Sequence, residues 1–296
     1  MTVTIENQFL TAEFLEKGAE LCHLVSKDSG FDYIWQADPQ YWGRHAPVLF
    51  PFVGRLKDDQ YQYEGKTYQM GQHGFARDCD FTVTAQTTNA VTFNLKDSPI
   101  TRVNYPFAFS LDITYTLKDS QLTVAYHVAN PAVKPLYFSI GGHPGFNVPM
   151  SAELSFEDYY LSYEPKKTRV QVPLAGPYSD LAHKTLAPTD TDLDLTHELF
   201  KNDAMIYELH HQNRFTLKSE KNYRAISLIV EDAPYVGIWS AYPKQAPYVC
   251  IEPWWGIADS VDSTGELTQK TGINRLNAGE TFDRHYMIQV HQRRAF

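Results

Sequence analysis

The chain has 296 residues, 43% hydrophobic and 21% charged, a balance too apolar for disorder and a length that allows a large core. A net charge of −9 and a pI near 5.6 set its overall field against polyanions and anionic membranes, so neither nucleic acid nor a membrane is an expected partner. Three scattered cysteines without a CxxC pair argue against a disulfide framework or a cysteine zinc site, and the first residues lack a signal-peptide pattern, so a soluble cytoplasmic protein is expected.

In chain order, strands are predicted at 2–6, where Val3 and Ile5 share one parity, and less regularly at 9–14. Residues 39–43 read as a helical turn. The longest strongly apolar run, 46–54, carries two prolines and is far shorter than the roughly 20 residues of a membrane-spanning helix. Three hairpins follow: 61–63 with 67–70, 81–84 with 91–95, and 109–117 with 122–128, each alternating with period two and turning on polar residues. Further strands are predicted at 136–140, 152–156, 169–172, 205–209, 214–217, 225–230, 235–239, 248–251 and 285–290, and helical turns at 179–181 and 195–201. The segment 173–196, rich in Gly, Pro, Ser and Asp, reads as a linker or as a long excursion between strands. The strand pattern is the same on both sides of it, which favours one domain over 1–296. No segment sustains a 3.6-residue apolar stripe, so the fold class is all-β: a large antiparallel β-sandwich with few short helices.

Several site types are absent: no G-x-G-x-x-G opens a helix, and neither G-x-x-x-x-G-K-[ST], H-E-x-x-H nor G-x-S-x-G occurs. His210-His211, beside Gln212 and Asn213, reads as a hairpin tip. Any reaction then falls to the protein's own acids and bases.

Four stretches interrupt apolar β sequence with small, ionisable and aromatic residues: 45–55, ending in Gly54-Arg55; Gln72-His73-Gly74-Phe75-Ala76-Arg77; Gly141-Gly142-His143-Pro144-Gly145-Phe146-Asn147; and Glu252-Pro253-Trp254-Trp255-Gly256-Ile257-Ala258-Asp259-Ser260. Glycines around His143 either let a ligand approach the imidazole closely or serve a bulge or turn. Glu252 ends a buried apolar run, where a carboxylate is expensive unless it is paired, at a sheet rim for instance, or used. In an extended chain Trp254 shares its face while Trp255 points away; an indole beside a carboxylate suits a sugar, although both indoles also serve as core filling. By the same parity His73 and Arg77 share a face. With Arg55 they offer donors to oxygens, or the arginines simply meet surplus acidic groups.

Taken together, "FPFVGRL", "HGFAR", "GGHPGFNVP" and "EPWWGIADS", in this order and spacing, resemble the aldose 1-epimerase (galactose mutarotase) superfamily, in the branch that includes LacX. The similarity runs through nearly the whole chain. It implies a curved antiparallel sandwich whose concave face interconverts the α and β anomers of a free hexose, without cofactor or metal, in a monomer or homodimer. Glu252 matches the general base, His143 the general acid, His73 the second histidine and Arg55 the sugar-binding arginine. Arg77 and Trp254 join them as substrate contacts, and Asp203 stands, by chain order alone, for the aspartate that holds sugar hydroxyls. Three positions depart from the pattern: Gly54 replaces an asparagine, Gly145 a tyrosine, and Pro253-Trp254 an x-Gln. Two other readings are a hexose-6-phosphate 1-epimerase, with Arg44, Arg55 and Arg77 meeting the phosphate, and a non-catalytic sugar sensor. No second carboxylate is evidently paired with Glu252, which weighs against a two-carboxylate glycosidase.

Ring opening needs a base for the O1 proton and an acid at the ring oxygen O5, expected on opposite sides of the anomeric carbon. Ordinary values of about 4.3 for a glutamate and 6.5 for a histidine place the shared working range near pH 5 to 6. A neighbouring carboxylate would raise the histidine toward neutrality.

Overall fold

The computed structural model describes residues 1–291. Two large antiparallel sheets dominate it. The nine-stranded sheet is built on the long strands Ser110–Lys118, Gln121–Ala129 and Thr281–His291, whose residues alternate strictly or nearly so between buried and more exposed positions, and on Asn222–Val230, which is buried on both faces from Ala225 onward. The eight-stranded sheet runs from Thr185–Ala187 through Arg169–Val172, Met205–Glu208, Tyr235–Trp239 and Tyr248–Trp255 to Ile140–Gly142 and Val48–Leu49. Gly145–Asn147 pairs beside its central strand. A three-stranded N-terminal sheet, Thr2–Glu6, Leu10–Leu15 and Glu20–Ser26, packs Phe14 against Phe93 and Tyr115 of the nine-stranded sheet.

The two large sheets face each other across an aromatic core. Trp255 meets Tyr126 at 6.1 Å and Phe282 at 6.5 Å, Phe138 meets Phe282 at 5.2 Å, and the Tyr126 hydroxyl donates to the Gly141 carbonyl at 3.2 Å. Each such ring, wholly buried, contributes about 1.5–3 kcal/mol of transfer free energy. Among the described residues no helix is long and apolar enough to cross a membrane.

The three hairpins form where the alternation places them. Other expectations are corrected. Residues 152–156 form no strand: Ser155 and Asp158 bond each other's ends of a 3-10 turn, Phe156–Asp158, and those local bonds outcompete a ladder. Residues 39–43 do make a turn, the Tyr41 and Trp42 amides both donating to the Asp38 carbonyl, but the single α-helix among the described residues, Thr101–Asn104, was not foreseen. The predicted strand 136–140 divides into Leu136–Phe138, paired with Asn274–Leu276, and Ile140–Gly142 in the eight-stranded sheet. Segment 173–196 carries Thr185–Ala187 on the edge of one large sheet and Leu193–Asp194 on the edge of the other, so it joins the sheets. Most important, the strand predicted at 248–251 continues to Trp255, which puts Glu252 in mid-strand instead of at a strand end or sheet rim.

Candidate active site

The central strand Tyr248–Trp255 is buried on both faces. Val249, Ile251 and Trp255 enter the core between the sheets, and by alternation Tyr248, Cys250, Glu252 and Trp254 look the other way. Its neighbour is broken in two: Ile140 and Gly141 pair with Trp255 and Trp254, and Gly145 to Asn147 pair with Cys250 to Tyr248. Both pieces keep one register. Carried across the break, that register sets His143 opposite Glu252, and their side chains meet with Nε2 3.2 Å from Oε2. The His143 amide donates to the Pro47 carbonyl at 3.1 Å and holds the bend in place. The flanking glycines make room for indoles: a Cβ on Gly141 would stand 2.9 Å from the Trp254 ring, and one on Gly145 3.2 Å from Trp42. They do not clear space around His143, which is hemmed in by Trp42, stacked at 4.8 Å, by Trp239 and by His73.

His143 and Glu252 form part of the floor of a hollow of about 350 Å³. All seven predicted residues line it: Glu252, His143, His73, Arg55, Arg77, Trp254 and Asp203. His73 and Arg77 arrive by a different route from the extended segment expected. His73 has φ +66° in a turn and Arg77 lies in the 3-10 turn Ala76–Asp78, so the backbone curls both toward the hollow. His73 and Gly54 hold each other, the His73 amide donating to the Gly54 carbonyl at 2.8 Å and the Gly54 amide to His73 Nδ1 at 3.0 Å. With Nδ1 accepting, neutral His73 carries its proton on Nε2. Arg55 bonds Asp59 at 3.2 Å and Arg77 donates to the Gln72 carbonyl at 2.6 Å, while the Nε atoms of both arginines are buried without a hydrogen-bond partner. Asp203 sits exposed at the rim, φ +71°. Trp42, Trp239 and Gln72 also line the hollow and were missed. Trp42 sits in the turn read as helical and Trp239 ends a strand read only as core; neither has a local signal.

Burial decides the protonation. It drives Glu252 well above the ordinary carboxylate value, with the charge of Asp203 adding to the effect and the nearby Trp254 indole opposing it. It also pulls His143 down to about 3 and His73 well below 6.5, assisted by the positive field of Arg77 and Arg44. This runs against the expected rise of the histidine: desolvation outweighs the backbone hydrogen bond that favours the imidazolium. Both shifts favour the neutral members of the pair, carboxyl and imidazole. His143, Glu252 and Cys250 bring one ligand atom each to within 4.8 Å of one another, the one donor set of a kind that holds metal ions found among the described residues.

The aldose 1-epimerase family model matches residues 1–273. The chain belongs to the aldose 1-epimerase family. It is 31% identical to the chromosomal protein LacX of Lactococcus lactis subsp. lactis over 98% of this chain and 99% of that one. Among solved structures it resembles a galactose mutarotase related enzyme from Lactobacillus acidophilus, with 45% identity, a TM-score of 0.97 and coverage of 99% and 98%. A galactose mutarotase-like protein from Lactobacillus casei gives 36%, 0.90, and coverage of 98% and 100%. Against this family background the departure at Gly54 has a physical cause. Its φ is +72°, and a Cβ there would stand 2.5 Å from that of Ala258, so the asparagine of the family pattern has no room.

Proposed function

We propose that the protein is an aldose 1-epimerase that interconverts the anomers of a free hexose, with Glu252 and His143 as the proton-transfer pair. The observation that carries this reading is the 3.2 Å cross-strand contact of a buried carboxyl and imidazole on the floor of a sugar-sized hollow. O1 and O5 are bonded to the same carbon, so an acid and a base side by side serve them as well as two groups facing across a gap. The shared proton passes from Oε2 to Nε2, leaving a carboxylate for O1–H and an imidazolium for O5. The O1 proton then goes to Glu252, the C1–O5 bond breaks as C1=O1 forms, and O5 takes the His143 proton. Rotation about C1–C2 followed by the reverse transfers closes the ring as the other anomer. Each positioned group supplies about 10²–10⁴-fold.

His73 Nε2–H, Arg55 and Arg77 supply donors to hydroxyls, and Trp254 and Trp42 supply flat apolar faces. Arg44 and Arg55 already face Asp78 and Asp59, and Arg77 is bonded to a carbonyl, which favours a neutral sugar over a 6-phosphate. One core cluster drawing on both large sheets supports reading the chain as a single domain.

Anomer-exchange NMR on galactose, glucose and their 6-phosphates tests the proposal. Acceleration of the free sugars that Glu252→Gln abolishes is expected. Binding without acceleration would instead mark a sugar sensor, and acceleration of the phosphates alone would reassign the substrate.

A further inference from the structure

We infer that the active site doubles as an inhibitory binding site for a thiophilic divalent cation of the Zn²⁺ type, held by His143, Glu252 and Cys250. The inference rests on the epimerase reading for its effect on activity, and on donor geometry for the site itself. Cys250 and Glu252 are two residues apart on one strand and so share a face, and His143 stands across from Glu252 in the same register. Gly145, the cross-strand partner of Cys250, has no side chain to come between the thiol and the imidazole. One ligand atom from each of the three lies within 4.8 Å of the others, and the imidazole–carboxylate edge is already at 3.2 Å. Bonds of about 2.0–2.3 Å to tetrahedral zinc set donors roughly 3.5 Å apart, so small side-chain adjustments close the set. Sulfur, nitrogen and one carboxylate oxygen make a soft to borderline donor set, which selects Zn²⁺ or Co²⁺ over Mg²⁺ or Ca²⁺. The hollow leaves the fourth position to water or a sugar hydroxyl.

Binding replaces three metal-bound waters, and the thiol and carboxyl protons leave to solvent as the metal–sulfur and metal–oxygen bonds form. It occupies both lone pairs that the proton transfer needs, so a bound cation stops turnover. Cys250 takes no part in the proton transfer, and it alone separates a metal effect from a catalytic one.

The test uses the full chain, freed of metal by a chelator and then desalted, and titrated with Co²⁺. One equivalent should bind with a sulfur-to-cobalt charge-transfer band in the near ultraviolet, and Zn²⁺ should displace it. Cys250→Ser and Cys250→Ala should abolish the band, weaken binding at least tenfold and leave metal-free anomer exchange unchanged; Zn²⁺ should inhibit the native protein and not the variants. No band, or equal binding by the variants, overturns the site. A band without anomer exchange in metal-free protein leaves the site standing and overturns the epimerase reading; exchange that Zn²⁺ does not touch does the reverse.

Discussion

Two buried acid–base pairs, whose carboxylates Glu252 and Asp259 stand seven residues apart along the chain, differ in what surrounds them. Lys270 and Asp259 meet at 2.9 Å, and both are satisfied further: the ammonium donates to the Ile257 carbonyl at 2.6 Å, and the other carboxylate oxygen accepts from the Lys57 amide at 2.9 Å. His143 and Glu252 meet at 3.2 Å with little else. His143 Nδ1 is buried without a hydrogen-bond partner, and the contact opens onto the hollow. A buried charge pair whose remaining valences are filled clamps a chain, here the 257–259 segment against Gly54 and Arg55. A pair left unsatisfied beside a cavity is poised to bond something that enters it.

The sharpest way to break that contrast is to remove one acid from each pair's chemistry. Glu252→Gln should lower kcat/KM for anomer exchange by about 10²–10⁴-fold with the fold intact, measured by NMR exchange and circular dichroism. Lys270→Met should do the opposite. It leaves Asp259 buried and unpaired and should cost about 3–5 kcal/mol in denaturant unfolding, while the folded fraction keeps its turnover. Near-normal stability of Lys270→Met would show that the clamp is not needed.

Gly54→Ala forces a side chain onto a backbone at φ +72° and against Ala258, for about 1–3 kcal/mol of strain. Because the Gly54 amide holds His73 Nδ1, its KM for sugar should rise more than its kcat falls.

The pH dependence of stability sharpens the comparison further. His73 and His143 titrate below 6.5 in the fold and Glu252 above 4.5. As pH falls below 6.5 the unfolded chain binds protons on both histidines that the fold refuses, so stability declines; above 4.5 the proton kept on Glu252 offsets part of this. On the alkaline side, up to its raised folded value, Glu252 keeps a proton that the unfolded chain has lost, and that contribution declines as pH rises. Glu252→Gln should flatten the alkaline decline and steepen the acid one, read from thermal midpoints across pH. Turnover needs a singly protonated pair, so its acid limb should lie near pH 3, where His143 takes a second proton. The smallest effect is expected of Asp203→Asn. Losing that exposed negative charge lowers Glu252 and should move the alkaline limb of kcat/KM to lower pH.

Much of this was legible beforehand. Period-two alternation is a local property, and it located the hairpins 81–95 and 109–128 because one face of the strands Ala90–Lys96, Ser110–Lys118 and Gln121–Ala129 is buried. Residue chemistry picked out Glu252, His143, His73, Arg55, Arg77 and Trp254, since charged, aromatic and small residues are out of place in apolar β sequence. Asp203 came only from its order in the chain, and it reaches no further than the rim. Trp42 stayed hidden because a stacking partner for His143 is defined by a contact 101 positions away along the chain.

The sequence by itself determined an all-β architecture and the residue types available for acid–base work on a sugar, because alternation and side-chain chemistry are written residue by residue. Only the tertiary structure decided that His143 and Glu252 are cross-strand partners and that burial pushes the carboxyl up and the imidazole down. Register and desolvation depend on what the rest of the chain packs around a group, and no local stretch of sequence carries that.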